Sequence, residues 1–535
     1  MQNKILILII FLSSFIVYSN TYKNSFLYGD DEEIVLRNQY IKSWKFLPKL
    51  FTENYKAGSG VQSNYYRPFQ ILLYTIILTT IGLKLWPFHF VSIFFHALCG
   101  VSIFLLLNKI FEISENKQSA KKFEKKKNLM PVIPALISII WSVHPIHAEE
   151  IGPATGVASP LYFFFILLAL LSFIKYLETN KKQFYLLSII SFVGGLLSKE
   201  SSIIFPVLVL GLHITINKLK SQNTDLKKLI NIHLTYWLVL AIYLFLRLTY
   251  LNFGGTLNFY KTSNIFTENF LVRLYTFFTV ISYGLKLIIL PSNLHPERSW
   301  PIFVNFLSWQ VLISFFIILI LIFIAIYRWK KEPIISFGIF WFFVSYFPMS
   351  NLVARINAVF WEHWLYVPSF GILIAICSFF YNRKKLKTIF IFLACIGIFT
   401  FAIYTYSRNY NFSDPLTYYG YILKYEPGIS KIWNNYAMAL SEKGKFKEAI
   451  ECYKKAIQIS DEYPHTHHNL GNSYLEIGRP DLAEEEFKKA IQMDPNFYHS
   501  YVALARIYAM KNDIQQAKKY FDEAVKIYPY LVQKR

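Results

Sequence analysis

Between residues 5 and 407 the chain alternates long runs free of Asp, Glu, Lys and Arg with short, mostly basic segments. The runs cover 5–22, 85–108, 128–148, 151–174, 183–198, 201–217, 229–246, 301–327, 333–354, 364–382 and 388–407. A helix crossing a hydrocarbon core of roughly 30 Å needs such a run, so the pattern predicts about eleven transmembrane helices. Two other apolar runs, 71–83 and 274–285, are short and bounded by charge at Arg67, Arg273 and Lys286. Runs of roughly 10–14 residues are more often interfacial or re-entrant than spanning, and both are expected outside the count.

Charge placement agrees with that count, because cytoplasmic loops collect Lys and Arg. With the N-terminus inside, the inner loops are 109–127 (Lys117, Lys121, Lys122, Lys125, Lys126, Lys127), 175–182, 218–228, 328–332 (Arg328, Lys330, Lys331) and 383–387 (Arg383, Lys384, Lys385, Lys387). Counting 274–285 as a span would move the Arg328 and Arg383 loops outside. An odd number of spans places the C-terminus and the loops 23–84 and 247–300 outside. The first run is expected to be a signal anchor, since SNTYKNSF follows it without a small-residue cleavage site.

Composition narrows the class. At 54% hydrophobic and 19% aromatic over 535 residues, the chain exceeds a soluble globular composition and reads as an integral protein of the plasma membrane, or of the inner membrane if bacterial. The net charge of +22 then reports topology, and no nucleic-acid partner is implied. Cys99, Cys377 and Cys395 lie in predicted spans and Cys452 stands alone beyond them, so neither a disulfide framework nor a zinc spacing exists.

Beyond Arg408 the chain turns polar and repeats every 34 residues. Gly444, Gly478 and Asn512 align, as do Ala449, Ala483 and Ala517, then Tyr453, Phe487 and, one residue early, Tyr520, then Ala456, Ala490 and Ala524; Pro464, Pro495 and Pro529 close the units. This resembles the tetratricopeptide repeat, in which small residues let paired helices approach. The repeats run over 431–464, 465–495 and 496–529, with a half-repeat at 414–427. The fold class is therefore all-α: a membrane domain over 1–408 and an extracytoplasmic repeat solenoid over 409–535. The concave face of such a stack suits a polypeptide or serves as an assembly scaffold.

Candidate chemistry lies in the outer loops. YGDDEEIVLRN, residues 28–38, concentrates Asp30, Asp31, Glu32 and Glu33 after the first span. Asp30 and Glu33 have capping-box spacing; adjacent carboxylates also suit a general base beside an acceptor or metal. Arg67 in NYYRPF could anchor at the interface or pair with a phosphate or with the acidic cluster. HPIHAEE, residues 144–150, offers His144, His147 and Glu149 or Glu150, either as a polar helix end or as a metal site, without a specific zinc spacing. Ser198, Lys199 and Glu200 form an outward turn where Lys199 could meet a lipid-linked phosphate. His89 and His96 read as packed polar core. In the last outer loop Trp361, Trp364 and Tyr366 suit an aromatic belt, while Arg355 and Glu362 do not fit that role.

Taken in order, the DD pair, the RP pair, HPxHxE, KE, SNL, LYxPS and the repeat tail resemble the transmembrane and tetratricopeptide-repeat O-mannosyltransferases, whose membrane domain is of the lipid-dependent GT-C glycosyltransferase type. The resemblance implies transfer of a sugar, mannose by default, from a polyprenyl-phosphate donor to an acceptor hydroxyl with inversion. The acceptor it implies is Ser or Thr of a secreted or envelope polypeptide. By matching position, Asp30 or Asp31 is the base and Glu149 a second acid near the acceptor or a metal. Arg67, Lys199 and Arg355 are candidate cations for the departing phosphate, with His144, His147, Glu200 and Glu362 lining the substrate. No cofactor is identified, and a divalent metal ion is left open. The chain departs from the pattern at Val157 and Ser159, where relatives often carry Arg and Asp, and at His363, where they often carry Arg after Glu; these positions bear on sugar and acceptor specificity. Two rival readings are a glycosyltransferase acting on lipid or surface polysaccharide and a non-enzymatic membrane-anchored scaffold.

Overall fold

The computed structural model describes residues 2–119, 131–222, 225–253, 264–356, 358–381 and 383–531. The chain forms two compact units, Met1–Ser413 and Asp414–Arg535, and among the described residues there is no β-strand. The predicted division at 408 falls a few residues earlier than the observed one. Past the last apolar helix the chain stays bound to the first unit: the Asn409 side chain donates to the Val17 carbonyl at 3.0 Å and the Ser25 N–H to the Ser413 carbonyl at 2.7 Å.

Eight helices among the described residues are long and apolar enough to cross a membrane, against about eleven expected. Every predicted span corresponds to a helix, but four do not meet that length. The described part of the run 128–148 holds two helices, Val132–Ser142 and Pro145–Ile151, bent by 40° at the His144–Pro145 step, where Pro145 lacks the N–H that would continue the helix. Lys182–Leu196, Pro333–Met349 and Pro368–Tyr381 are shorter apolar helices, as is Pro68–Thr80. Lys121, Lys122, Lys125, Lys126 and Lys127 lie outside the described residues.

The sixth long helix in chain order, Phe270–Ile289, departs from the expected short run. It starts before Arg273 because the Asn269 side chain accepts from the Leu271 and Val272 N–H groups, and it continues past Lys286. Charged side chains at such positions reach polar surroundings while their stems stay apolar. The helix qualifies by length and composition, and its two ends bond to different segments. The Ile288 carbonyl lies 2.9 Å from His144 Nε2, and the Thr267 carbonyl, just before the helix, accepts from Arg355 at 3.2 Å. Segments 144–150 and 355–363 are themselves joined through Glu149 and His363.

The loop after the first helix is folded. Ile34, Val35, Ile41, Leu50 and Tyr55 are buried against Ile71, Tyr74 and Ile77 of the short helix Pro68–Thr80, together with Phe88, Ala154 and Val157. Each such burial contributes about 1.5–3 kcal/mol relative to exposure, which holds the acidic segment in one place. Elsewhere, helices Pro333–Tyr346 and Pro368–Tyr381 pack backbone to backbone. A Cβ on Gly338 would lie 2.5 Å from the Gly371 carbonyl oxygen, and one on Gly371 would lie 2.6 Å from that of Gly338.

The second unit is a helix, Pro415–Leu423, followed by three helix pairs, Ser430–Glu442 with Phe446–Ile459, Pro464–Glu476 with Pro480–Met493, and Tyr498–Met510 with Ile514–Ile527. The aligned Gly444, Gly478 and Asn512 all adopt positive φ, at 73°, 73° and 58°. They form the left-handed turn inside each pair, where Gly and Asn are tolerated best. Ala449, Ala456, Ala483, Ala490 and Ala524 are buried at the helix contacts.

Candidate functional site

The acidic cluster divides into residues with different surroundings. Asp31 is 2% exposed. Its Oδ1 accepts from the Thr155 N–H at 2.9 Å and the Thr155 hydroxyl at 2.6 Å, and its Oδ2 from the Leu27 N–H at 2.9 Å. Burial raises its pKa against these donors, which lower it. Asp30, on the turn set by Gly29 at φ 85°, keeps 61% of its side chain exposed and binds Lys56 Nζ at 2.6 Å. Glu33 binds the same ammonium at 2.5 Å, and Glu32 pairs with Arg37. The capping-box alternative is not realised: residues 32–36 form a π-helical turn whose N-cap, Asp31, makes no side-chain cap. Burial works against the Lys56 charge, but Asp30 and Glu33 outweigh it and raise its pKa.

Tyr55 connects this carboxylate to a second cation. Lys56 Nζ stands 5.5 Å and the Arg67 guanidinium 5.3 Å from the Tyr55 ring centroid, and Arg67 is also 4.6 Å from that of Tyr65. Such placements over a ring face are attractive. Arg67 Nε donates to Glu200 at 3.1 Å, while the other Glu200 oxygen accepts from the Tyr66 N–H at 2.6 Å. Behind them Lys199 is buried, donating to Ser159 at 2.6 Å and lying 3.9 Å from Glu150; burial lowers its pKa. Glu150 also accepts from the Ser159 N–H at 2.9 Å, so Ser159 binds both partners.

Glu149 belongs to a different network. Its two oxygens bind the N–H of His363 at 2.9 Å and the ring Nδ1 of His363 at 3.0 Å. Glu362 is buried between Arg298 at 2.7 Å and Arg408 at 2.6 Å and accepts from the His295 N–H at 2.8 Å. Burial raises its pKa, with Arg408 opposing. Arg408 also donates to the Pro145 carbonyl at 2.7 Å. Arg355 joins neither network and donates to Thr267.

The histidines are core residues. His144 Nδ1 accepts from the Ile146 N–H at 3.2 Å, capping the turn Pro145–His147, while its Nε2 meets the Ile288 carbonyl. His147 packs between Trp141 and Tyr366, each 4.7 Å away by ring centroids. His89 and His96 are buried, His96 between the Tyr366 hydroxyl at 2.7 Å and the Ser142 carbonyl at 2.8 Å. Tyr366 and Trp364 are buried too, so they pack inside rather than in an aromatic belt.

Among the described residues no group of three or more His, Cys, Asp or Glu side chains is placed to hold a metal ion. Asp31 accepts three hydrogen bonds, Asp30 and Glu33 share one ammonium, and both His144 nitrogens are engaged.

Lys56, Thr155, Arg298 and Arg408 carry these networks and are absent from the predicted set. The signal for Arg408 was a lone Arg ending the last apolar run; Lys56 and Thr155 carry no local signal, since their partners are remote in sequence.

Tetratricopeptide-repeat family models match residues 428–496 and 468–531. Over 503 residues the chain is 23% identical to protein O-mannosyl-transferase TMTC3 of Mus musculus, covering 86% of this chain and 52% of that protein. The chain is thus similar to proteins named protein O-mannosyl-transferases. Protein O-mannosyl-transferase TMTC4 of Homo sapiens is 24% identical over 485 residues, covering 82% of this chain and 64% of that protein. The chain spans between about half and about two-thirds of the length of these proteins. Among solved structures, MamA is 19% identical, covering 29% of this chain and 81% of its own, with a TM-score of 0.21.

Proposed function

We propose that the protein is a membrane glycosyltransferase that moves a sugar, mannose by default, from a polyprenyl phosphate to a hydroxyl of a secreted or envelope polypeptide, with inversion. The observation that carries this reading is the meeting of an exposed carboxylate, Asp30, and an oriented cation, Arg67, around Tyr55. The similarity of most of the chain to proteins named protein O-mannosyl-transferases supports the sugar and the acceptor class.

Inversion needs one base opposite the leaving group. Asp30 is the accessible member of the pair and takes the proton of the acceptor hydroxyl as that oxygen bonds to the anomeric carbon. The bond from that carbon to the phosphate oxygen breaks, and the phosphate keeps the electron pair. Arg67, oriented through Nε by Glu200 and by two tyrosine rings, turns its terminal nitrogens to the developing phosphate charge. Asp31 holds the loop on Thr155 and acts as a positioning residue. With the basic loops taken as inner, the positive-inside pattern supports an extracytoplasmic site and repeat tail, and the solenoid suits the acceptor polypeptide.

The test is transfer of labelled mannose from polyprenyl phosphate mannose by membranes containing the intact chain, with the product partitioned into protein and lipid and its anomeric configuration determined. Label in protein, inverted relative to the donor, supports the reading. Label in lipid assigns the acceptor to a glycolipid, and no transfer despite folded protein overturns it.

A further inference from the structure

Arg273, in the first turn of helix Phe270–Ile289, and Arg355, in the segment after Met349, converge on one backbone oxygen. Arg273 Nη1 donates to the Thr267 carbonyl at 2.9 Å, and Arg355 Nη1 donates to the same carbonyl at 3.2 Å. No carboxylate among the described residues pairs with either guanidinium, and Nε of Arg273 is buried without an acceptor. Arg273 Nη1 also reaches the Phe266 carbonyl at 3.3 Å; each guanidinium presents five N–H donors, and these two carbonyls use few of them. Two like charges held together in partly dehydrated surroundings repel. A cavity of about 10 Å³, the size of one water, borders Arg273.

The flanks indicate what neutralises the pair. Ile265, Phe270 and Leu271 on one side and Phe347 and Val353 on the other are each at least half exposed. A cationic pair close in the chain to exposed apolar side chains, in a chain with membrane-length helices, matches an oxyanion carried on a hydrocarbon chain. Arg forks suit the several oxygens of a phosphate, and basic pockets beside membrane helices bind lipid head groups.

We propose that Arg273 and Arg355 form a binding site for the phosphate of an amphipathic lipid. The site uses neither Asp30 nor Arg67 and is read by binding alone. The experiment measures binding of dioctanoyl phosphatidic acid to the full chain in phosphatidylcholine nanodiscs, compared with dioctanoylglycerol, a short isoprenyl phosphate and inorganic phosphate. Wild type binds phosphatidic acid at least tenfold more tightly than either dioctanoylglycerol or inorganic phosphate. Arg355→Gln, in a loop where folding is least at risk, and Arg273→Gln each weaken that binding about tenfold. Tighter binding of the isoprenyl phosphate, with the same losses, assigns the site to a lipid-linked carrier; tighter binding of phosphatidic acid assigns it to a membrane phospholipid. The proposal is overturned if Arg355→Gln, with an unchanged melting temperature, binds phosphatidic acid as wild type does, or if the phosphate-free lipid binds equally well.

Discussion

Lys56 and Arg67 stand on the same ring, their cationic groups 5.5 and 5.3 Å from the centroid of Tyr55. One holds the exposed carboxylate of Asp30 and the other is held by Glu200, so a single buried tyrosine sets the spacing between the proposed base and the proposed phosphate cation. Tyr55→Leu keeps an apolar side chain at this position but removes the ring and with it both contacts, about 1–2 kcal/mol together. The expected outcome is a roughly five- to thirtyfold rise in donor KM with a smaller change in kcat, measured by steady-state transfer.

The adjacent aspartates are predicted to fail differently. Asp31→Asn places an amide against donors that now meet a carboxylate, leaving a buried N–H unpaired at a cost of about 1–3 kcal/mol. It is expected to lower the melting temperature and expose the 23–67 loop to protease. Asp30→Asn, at an exposed position, leaves both unchanged.

Helices Pro333–Tyr346 and Pro368–Tyr381 depend on the Gly338 and Gly371 contact. Gly338→Ala forces the backbones apart and is expected to cost about 1–3 kcal/mol, read as thermal stability in detergent. Gly397→Ala, where a Cβ meets nothing within 4 Å, is the matched control with no loss.

In the repeat unit His467 lies between Glu486 at 2.5 Å and Asp461 at 2.7 Å. Burial works against the imidazolium, but the two carboxylates outweigh it and raise its pKa above the ordinary value. A group with a raised folded-state pKa contributes stability that is complete below the unfolded value, about 6.5, and is lost as pH rises through the folded value. Hydrogen exchange of the 430–527 amides should therefore quicken as pH rises through that window, after correction for intrinsic exchange. His467→Gln should remove the dependence, at a loss of about 1.5 kcal/mol below it.

The repeat tail was legible because its signal is local and recurs: Gly444, Gly478 and Asn512 mark one left-handed position three times. The acidic cluster was legible as a cluster, but the difference between Asp30 and Asp31 was not, because Thr155, a partner remote in sequence, decides which is buried. Likewise Glu149 and Glu150 look equivalent in HPIHAEE, and their partners His363 and Lys199 lie elsewhere in the chain. Helix Phe270–Ile289 was underestimated by counting charge-free residues, whereas Asn269 starts it before Arg273.

The most direct test of the account is single-turnover transfer of labelled mannose from polyprenyl phosphate mannose by the full chain carrying Asp30→Asn. The account predicts a loss of about 10²–10⁴-fold, the range of general-base catalysis, with unchanged melting temperature and donor binding. Transfer at the wild-type rate by this variant would contradict it.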